Sequence, residues 1–453
     1  MQCTTSYSVK LYNVNRIFLP TIHVYQNAVA YLIEKFDQEW EYLRSIPVTK
    51  NKRFNIAEHL VHGTKGNTPK YDFDRRFYKL PSYLRRSAVS YALGAVSGYH
   101  TRCEAWAKAG SKGRPPVLNP RCDVMPCFYR KDMYRESDDP EQPYKVFLKI
   151  LYKNDWVWYP FSVSRTDMMY IQKHCQGKKQ SAPSLECRHK VWYLRFAFSR
   201  NVDLFDGDIF HQRICAVDLG IHTDAVCSIM EPDGTILARK FINFPSDKDR
   251  LWTVLNRIRR YQRENGSKNV TGRWEYAKRL NDQLAYKIGS SIVDTAALYR
   301  CTTIVFEHLE SGGKISGSRK QKIAMWRKNT IQKTAMSKAH EHGMRVSRIC
   351  AWKTSRLAYD GSGEVIRGKD AGFKTSALCK FRNGRTYNCD LSASYNIGAR
   401  YFCREIMKTL DENPRSRVEA KVPGAGRRTS CVYADLRAVW KALAELETEP
   451  GAA

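Results

Sequence analysis

Three carboxylates stand where carboxylates are unfavourable. Asp218 closes the apolar run Ile214-Cys215-Ala216-Val217 and is followed by the turn-forming Leu219-Gly220, while Glu307 closes the run Thr303-Ile304-Val305-Phe306. Continuous aliphatic residues bounded by turn signals read as buried strands. Asp390 lies in Asn388-Cys-Asp-Leu-Ser-Ala-Ser-Tyr-Asn-Ile397, a pattern that opens a helix with an acid in its first turn. An acid at such a place is destabilising unless it is paired or holds a metal. One of them alone reads as a strand-end carboxylate bonded to backbone amides. Three, each on a separate element, read as convergent hard oxygen ligands. Two Mg²⁺ ions about 3.5–4 Å apart require such ligands held by rigid supports.

The elements that must position these acids can be read around them. After Asp218 come a second strand at 226–230, the hairpin signal Asp233-Gly234 and a third strand at 236–244, a meander. Long basic helices are expected at 248–264 and 272–298, crowded with Arg257, Arg259, Arg260, Arg263, Arg273, Lys278 and Arg279. The chain then returns to the sheet for Glu307, a crossover of the α/β type. A helix at 326–342 and a strand at 345–352 follow. Strand, strand and helix N-terminus are the three supports of an RNase H-like metal site.

Charge narrows the function classes. Among 453 residues, 76 Lys plus Arg stand against 45 Asp plus Glu, a formal net charge of +31. Such an excess is self-repelling and points to a polyanionic partner. Aromatic residues at 12% offer stacking surfaces for unpaired bases. No run of about 18 apolar residues occurs, so no membrane span is expected, and residues 1–10 lack the apolar core of a signal peptide. The 14 cysteines are scattered, mostly within apolar strands and helices, and read as reduced thiols of a cytoplasmic protein.

The N-terminal half reads as a strand at 7–12, an amphipathic helix at 21–46, a loop at 50–74 and a long helix at 82–109. A linker at 110–116 leads to strands at 127–134, 144–151, 157–163 and 191–198. His174, Cys175, Cys187 and His189 flank a polar stretch, but their spacing fits no zinc knuckle. They read as incidental residues of a hairpin, and the pair Cys122 and Cys127 is equally weak.

The ordered set Val217-Asp-Leu-Gly220, Phe306-Glu-His-Leu309 and Cys389-Asp-Leu-Ser-Ala-Ser-Tyr-Asn-Ile-Gly398 resembles the three RuvC motifs of the TnpB family. That family comprises transposon-encoded, RNA-guided DNA nucleases, and the type V CRISPR effectors are its relatives. Phe77-Tyr-Lys-Leu-Pro-Ser-Tyr-Leu-Arg-Arg86, Ile331-Gln-Lys-Thr-Ala-Met-Ser-Lys-Ala-His340 and Thr354-Ser355 extend the resemblance over most of the chain. It implies a multidomain α/β protein: an RNase H-like (RuvC) nuclease domain plus a β-barrel wedge domain with an inserted helical recognition lobe. The implied boundaries are 1–20 and 116–212 for the wedge, 21–115 for the recognition lobe, 213–350 and 389–412 for the nuclease, with a lid at 311–329. Residues 351–388 form a target-loading insert and 413–453 a tail, its first part mobile and its last part a docking helix or a free one.

The resemblance further implies Asp218, Glu307 and Asp390 as catalytic ligands of two Mg²⁺, with guide RNA and double- and single-stranded target DNA as partners of a monomeric protein. Candidate nucleic-acid contacts are Arg85, Arg86, Arg102, Arg259, Arg260, Arg263, Lys314, Arg319, Lys320 and Arg385. The chain departs from the family at its zinc ribbon. Ala358 and Gly361 replace the first cysteine pair, and Lys380 and Asn383 stand at the second. Cys379 and Cys389 alone do not complete a four-ligand site, so no structural zinc is expected; Lys369, Lys374, Lys380, Arg382 and Arg385 would load the target strand instead. Two rival functions share these features: a nuclease-inactive, guide-dependent repressor, and a junction resolvase or transposase acting without RNA.

Overall fold

Alternation along the acid-bearing strands decides which way the acids face. The computed structural model describes residues 1–14, 16–120, 123–266, 270–309, 325–375 and 377–448. The chain divides into two compact units, residues 2–200 and residues 201 onward together with Met1.

The first unit opens with β1 (Gln2–Tyr12) and continues through helices α1 (Leu19–Gln38), α2 (Trp40–Ser45), α3 (Lys52–His59), α4 (Phe73–Arg76) and α5 (Ser82–Lys108). It then runs through β2 (Tyr134–Glu136), β3 (Lys145–Tyr152), β4 (Asp155–Val163), α6 (Arg165–His174), β5 (Lys179–Gln180), β6 (Ser184–Arg188) and β7 (Val191–Asn201). The strands form one sheet in the order β2-β3-β4-β1-β7-β5, with β6 also on β7. Helix α1 buries Ile22, Tyr25, Val29, Leu32 and Phe36 along one stripe, which packs with Leu84, Val89 and Val96 of α5 in the unit's core.

Four expectations need correction here. The helix expected at 21–46 breaks at Glu39, whose carboxylate accepts from the Tyr71 hydroxyl (2.6 Å). The expected loop at 50–74 contains α3 and α4, anchored by buried Ala57 and Phe73. The strand expected at 127–134 does not form as such, because its amides turn locally: Met133 and Tyr134 both donate to the Tyr129 carbonyl (2.8 and 2.9 Å). Helix α6 was not anticipated, although Ser164 accepts from the Asp167 amide as its cap (3.3 Å). His174 ends that helix, Cys175 is buried and Cys187 exposed, and Cys122 lies outside the described residues.

The second unit contains β8 (Ile214–Leu219), β9 (Ala225–Met230), β10 (Ile236–Ile242), α7 (Pro245–Asn265), α8 (Thr271–Leu298), β11 (Thr303–His308), α9 (Lys328–Glu341) and β12 (Arg345–Cys350). Its strands form a five-stranded sheet in the order β10-β9-β8-β11-β12. The first three make an antiparallel meander, whereas β11 runs parallel to β8 and β12. A small sheet of β13 (Ile366–Arg367), β14 (Leu378–Lys380) and β15 (Thr386–Asn388) follows, then α10 (Cys389–Thr409), α11 (Glu412–Lys421) and α12 (Tyr433–Thr448).

Both faces of the main sheet are covered, which explains why β8 and β9 are buried along their whole length and mostly apolar. Ile214, Ala216 and Val305 share a core with Ile397, Phe402 and Ile406 of α10. Cys215, Val217, Ile304 and Phe306 point the other way, into a core with Ile288 and Ile292 of α8 and Ala335 of α9. Gly398 lets α10 approach closely: a Cβ there would lie 2.7 Å from the Met230 Cε and 3.3 Å from the Ala216 Cβ. The tail corrects another expectation. Its first part includes α11, and α12 is docked, with Leu436, Val439 and Ala442 buried in the core shared with α10. Among the described residues no helix is long and apolar enough to cross a membrane.

Candidate active site

Register brings two of the acids together. Val217 of β8 stands beside Phe306 of β11, so Asp218 and Glu307 follow side by side at the ends of adjacent parallel strands, about 4.8 Å apart across the sheet. Residues two apart share a face. Asp218 therefore lies on the side of Ile214 and Ala216, Glu307 on the side of Val305, and that is the face covered by α10. The third acid comes from the start of the same helix. Asn388 caps it, its side-chain oxygen accepting from the Leu391 amide (2.9 Å), and Asp390 sits in the first turn. A carboxylate there is favoured by the helix dipole.

The charges of the three acids act on one another. Burial raises the pKa of Asp218 well above the ordinary aspartate range, and the charges of Glu307 and Asp390 push it further up. Burial likewise raises Glu307 and Asp390. Asp218 and Glu307 are 9% and 8% exposed, so water relieves neither charge effectively. The Thr354 hydroxyl donates to the Glu307 Oε1, and Asn396 of α10 holds the Thr354 carbonyl (2.9 Å). Among the described residues no group of three or more His, Cys, Asp or Glu is gathered closely enough to hold a metal ion. Glu307 and Asp390 lie near enough to Asp218 to shift its pKa, without closing into a cage. Their chemistry still suits a hard divalent cation: the donors are oxygens only, largely desolvated, and carry like charges that a cation would relieve.

Two arginines complete the site, and neither was singled out from sequence. Arg367, on β13, donates from Nε to the Cys389 Sγ (3.0 Å), and its guanidinium pulls the pKa of both Asp218 and Asp390 down against burial. Its strand is two residues long and carries no periodic signal. Arg400, on α10, is buried and supplies positive charge toward Glu307. The signal for Arg400 was a cation on the apolar stripe of a helix that buries Ile397, Tyr401 and Phe402 around it.

Arg367→Gln is expected to raise the pKa of Asp218 and Asp390, because it removes a cation that favours their ionised forms. Mg²⁺ binding measured calorimetrically across a pH series should then set in at higher pH than in the wild type. An unchanged onset would show that this guanidinium does not govern the acids.

Comparisons with known proteins give resemblances only. The model of the Aq_aa04 family matches residues 3–152. No curated protein matches the chain. Among solved structures, it is similar to a Cas12f1–sgRNA–target DNA complex, at 15% identity and a TM-score of 0.33, covering 87% of this chain and 98% of that one. It is also similar to C2c1 of Alicyclobacillus acidoterrestris with single-guide RNA, at 10% identity and a TM-score of 0.45, covering 82% of this chain and 65% of that one. A Cas12i–crRNA–dsDNA complex follows at 10% identity and a TM-score of 0.40, with 84% and 62% covered.

The candidate nucleic-acid contacts fall into three groups. Arg86, Arg102, Arg260, Arg263 and Arg385 are exposed. Arg259 is half-buried and lies over the Trp252 ring (4.9 Å). Arg85 is largely enclosed and ion-paired with Glu58 (3.5 Å), so it serves the fold of its own unit. Lys314, Arg319 and Lys320, with most of the expected lid, lie outside the described residues, as does the side chain of Lys369. Buried Ala358, Cys379, Phe381 and Cys389 form a small apolar core beside the small sheet.

Proposed function

We propose that this protein is an RNA-guided, metal-dependent DNA endonuclease. The observation that carries the catalytic part is the convergence of Asp218, Glu307 and Asp390 from two adjacent parallel strands and one helix start, each with its pKa pushed up by burial. The sheet order β10-β9-β8-β11-β12, an antiparallel meander continued by parallel strands, supports an RNase H-like (RuvC) reading of the second unit. The seven-stranded sheet of the first unit, with its helices between β1 and β2, supports the reading of a wedge carrying a recognition lobe.

Asp218, Glu307 and Asp390 would hold the Mg²⁺ ions. Bound there, divalent cations supply a lowered pKa for an attacking water and positive charge for the leaving 3′ oxygen. The chain's own residues do the rest. Thr354 orients the Glu307 carboxylate, Asn388 fixes the helix start that presents Asp390, and Arg367 favours the ionised forms of Asp218 and Asp390 against burial. No structural zinc is part of this proposal, the small apolar core around Cys379 taking the ribbon's place.

Guide RNA and target DNA, double- and single-stranded, are the proposed partners. The net charge of +31 and the exposed arginines suit two polyanions, and base pairing with the guide would supply specificity that the protein need not encode. The first test is to purify the protein with its native flanking sequences expressed alongside, extract its nucleic acid and sequence it. A discrete RNA with a constant scaffold and a variable segment is the expected result. Absence of RNA, together with Mg²⁺-dependent cutting of branched DNA, would replace guided cleavage with junction resolution.

A further inference from the structure

The loop that leaves Asp218 does more than end its strand. Thr223 lies close enough to Asp390 to lower its pKa, and its neighbours Gly220, Ile221, His222 and Asp224 line an open cavity of about 410 Å³ with residues of α7, α8 and the segment leading into α9. Buried Leu255, Leu284 and Ile288 form its apolar lining, and Trp252 and Trp326 contribute two indoles. The volume is within the range of small-ligand sites.

The polar groups of the cavity select its occupant. Lys248 is ion-paired with Asp224 (3.2 Å) and Arg327 with Asp282 (3.1 Å), so the two cations at the cavity are neutralised and offer little to a phosphate. Two buried donors at the cavity have no hydrogen-bond partner: the Trp326 Nε1, and the Arg327 Nε, which makes only its ion pair with Asp282. An indole N–H can only donate, so the missing partner is an acceptor such as a base carbonyl or ring nitrogen. Beside the cavity, Arg259 stacks over Trp252 and Arg273 over Tyr261 (4.1 Å). A flat, acceptor-bearing group attached to a polyanion suits the apolar lining, the indole donor and these two arginines.

We propose that this cavity takes one unpaired nucleobase of the strand whose phosphate lies at the carboxylates. The proposal rests on the nuclease reading above and deepens it. A base stacked in a duplex cannot enter, whereas an unpaired one can swing out at modest cost. The cavity would therefore admit single strands to the acids and reject paired ones, using contacts separate from the phosphate grip.

The test uses the full-length protein in EDTA and a thymidine strand carrying one 2-aminopurine. The wild type is expected to quench the analogue and shield it from acrylamide. Leu284→Trp, which fills the cavity, should restore acrylamide access while phosphate contacts still hold the strand. Trp326→Phe keeps an aromatic ring and deletes the donor, and should weaken binding about two- to tenfold. If the wild type binds the strand but leaves the analogue accessible, or Trp326→Phe binds as tightly as the wild type, the base cavity is wrong and the nuclease reading stands. If the wild type fails to bind single strands at all, the nuclease reading falls as well.

Discussion

Asp218→Asn is expected to melt at a higher temperature than the wild type in EDTA, and to cut DNA at least about 10³-fold more slowly. Both effects have one cause. In the metal-free protein the Asp218 carboxylate is buried beside Glu307 and Asp390, and folding raises its pKa. For a group raised on folding, the associated stability is complete below the unfolded value, about 4, and is lost as pH rises through the folded value. Asparagine has no charge to lose. The gain in melting temperature should therefore be absent near pH 4 and grow toward neutral pH. Relief of a poorly compensated buried polar group is worth about 1–3 kcal/mol, or several degrees in a unit of this size. Added Mg²⁺ should stabilise the wild type by mass action and the variant much less. Guide RNA retention should be unchanged. A variant that is less stable at pH 8 without metal, or that still cuts DNA at the wild-type rate, would contradict the site.

Arg400→Met carries the second large effect, on folding. Arg400 donates from Nε to the Cys431 carbonyl (2.9 Å), from one terminal nitrogen to the Cys350 and Trp352 carbonyls (2.7 and 2.8 Å), and from the other to that of Thr429 (2.9 Å). Burial lowers its pKa, so the charge is sustained against desolvation by these four acceptors and the nearby acids. Methionine matches the stem in length but strands all four carbonyls and leaves Glu307 without a cation. Removing one partner from a buried charged arrangement destabilises by about 3–5 kcal/mol. Urea unfolding of the second unit should show its midpoint fall accordingly. Arg400→Lys should recover only part, because an ammonium cannot reach the spread of a planar fork. An unchanged midpoint in the methionine variant would mean that the carbonyls find other donors.

Asp218 and Glu307 stood out in the sequence because each closes an apolar run, and Asp390 because it follows a helix-capping Asn388; the alternation Ile214, Ala216, Asp218 puts the first on one face of a strand. The neighbour of that strand was not legible. Pairing of Val217 with Phe306 is a register between segments far apart in sequence, and nothing local encodes it. Short elements were the other loss. Helices α3 and α4 are eight and four residues long, too brief for a 3.6-residue period to stand out from loop composition. The run at 127–134 was read as a strand from its apolar content, although its amides close turns instead of a ladder. Helix α6 could have been found, since Ser164-Arg-Thr-Asp167 is a capping signal. Arg367 could not, because its place beside two acids depends on how the small sheet folds back on β15 and α10.

The clasp of Arg400 on the tail also bears on when the second unit is finished during synthesis. Asp390 leaves the ribosome ahead of Thr429 and Cys431 by several seconds at about 5–20 residues per second. Through that interval Arg400 lacks two of its four acceptors, and the docking surface of α12 has not been made. The N-terminal unit, complete by residue 200, is by then free to fold. Translation broken off ahead of Thr429 leaves the acid-bearing helix without its clasp.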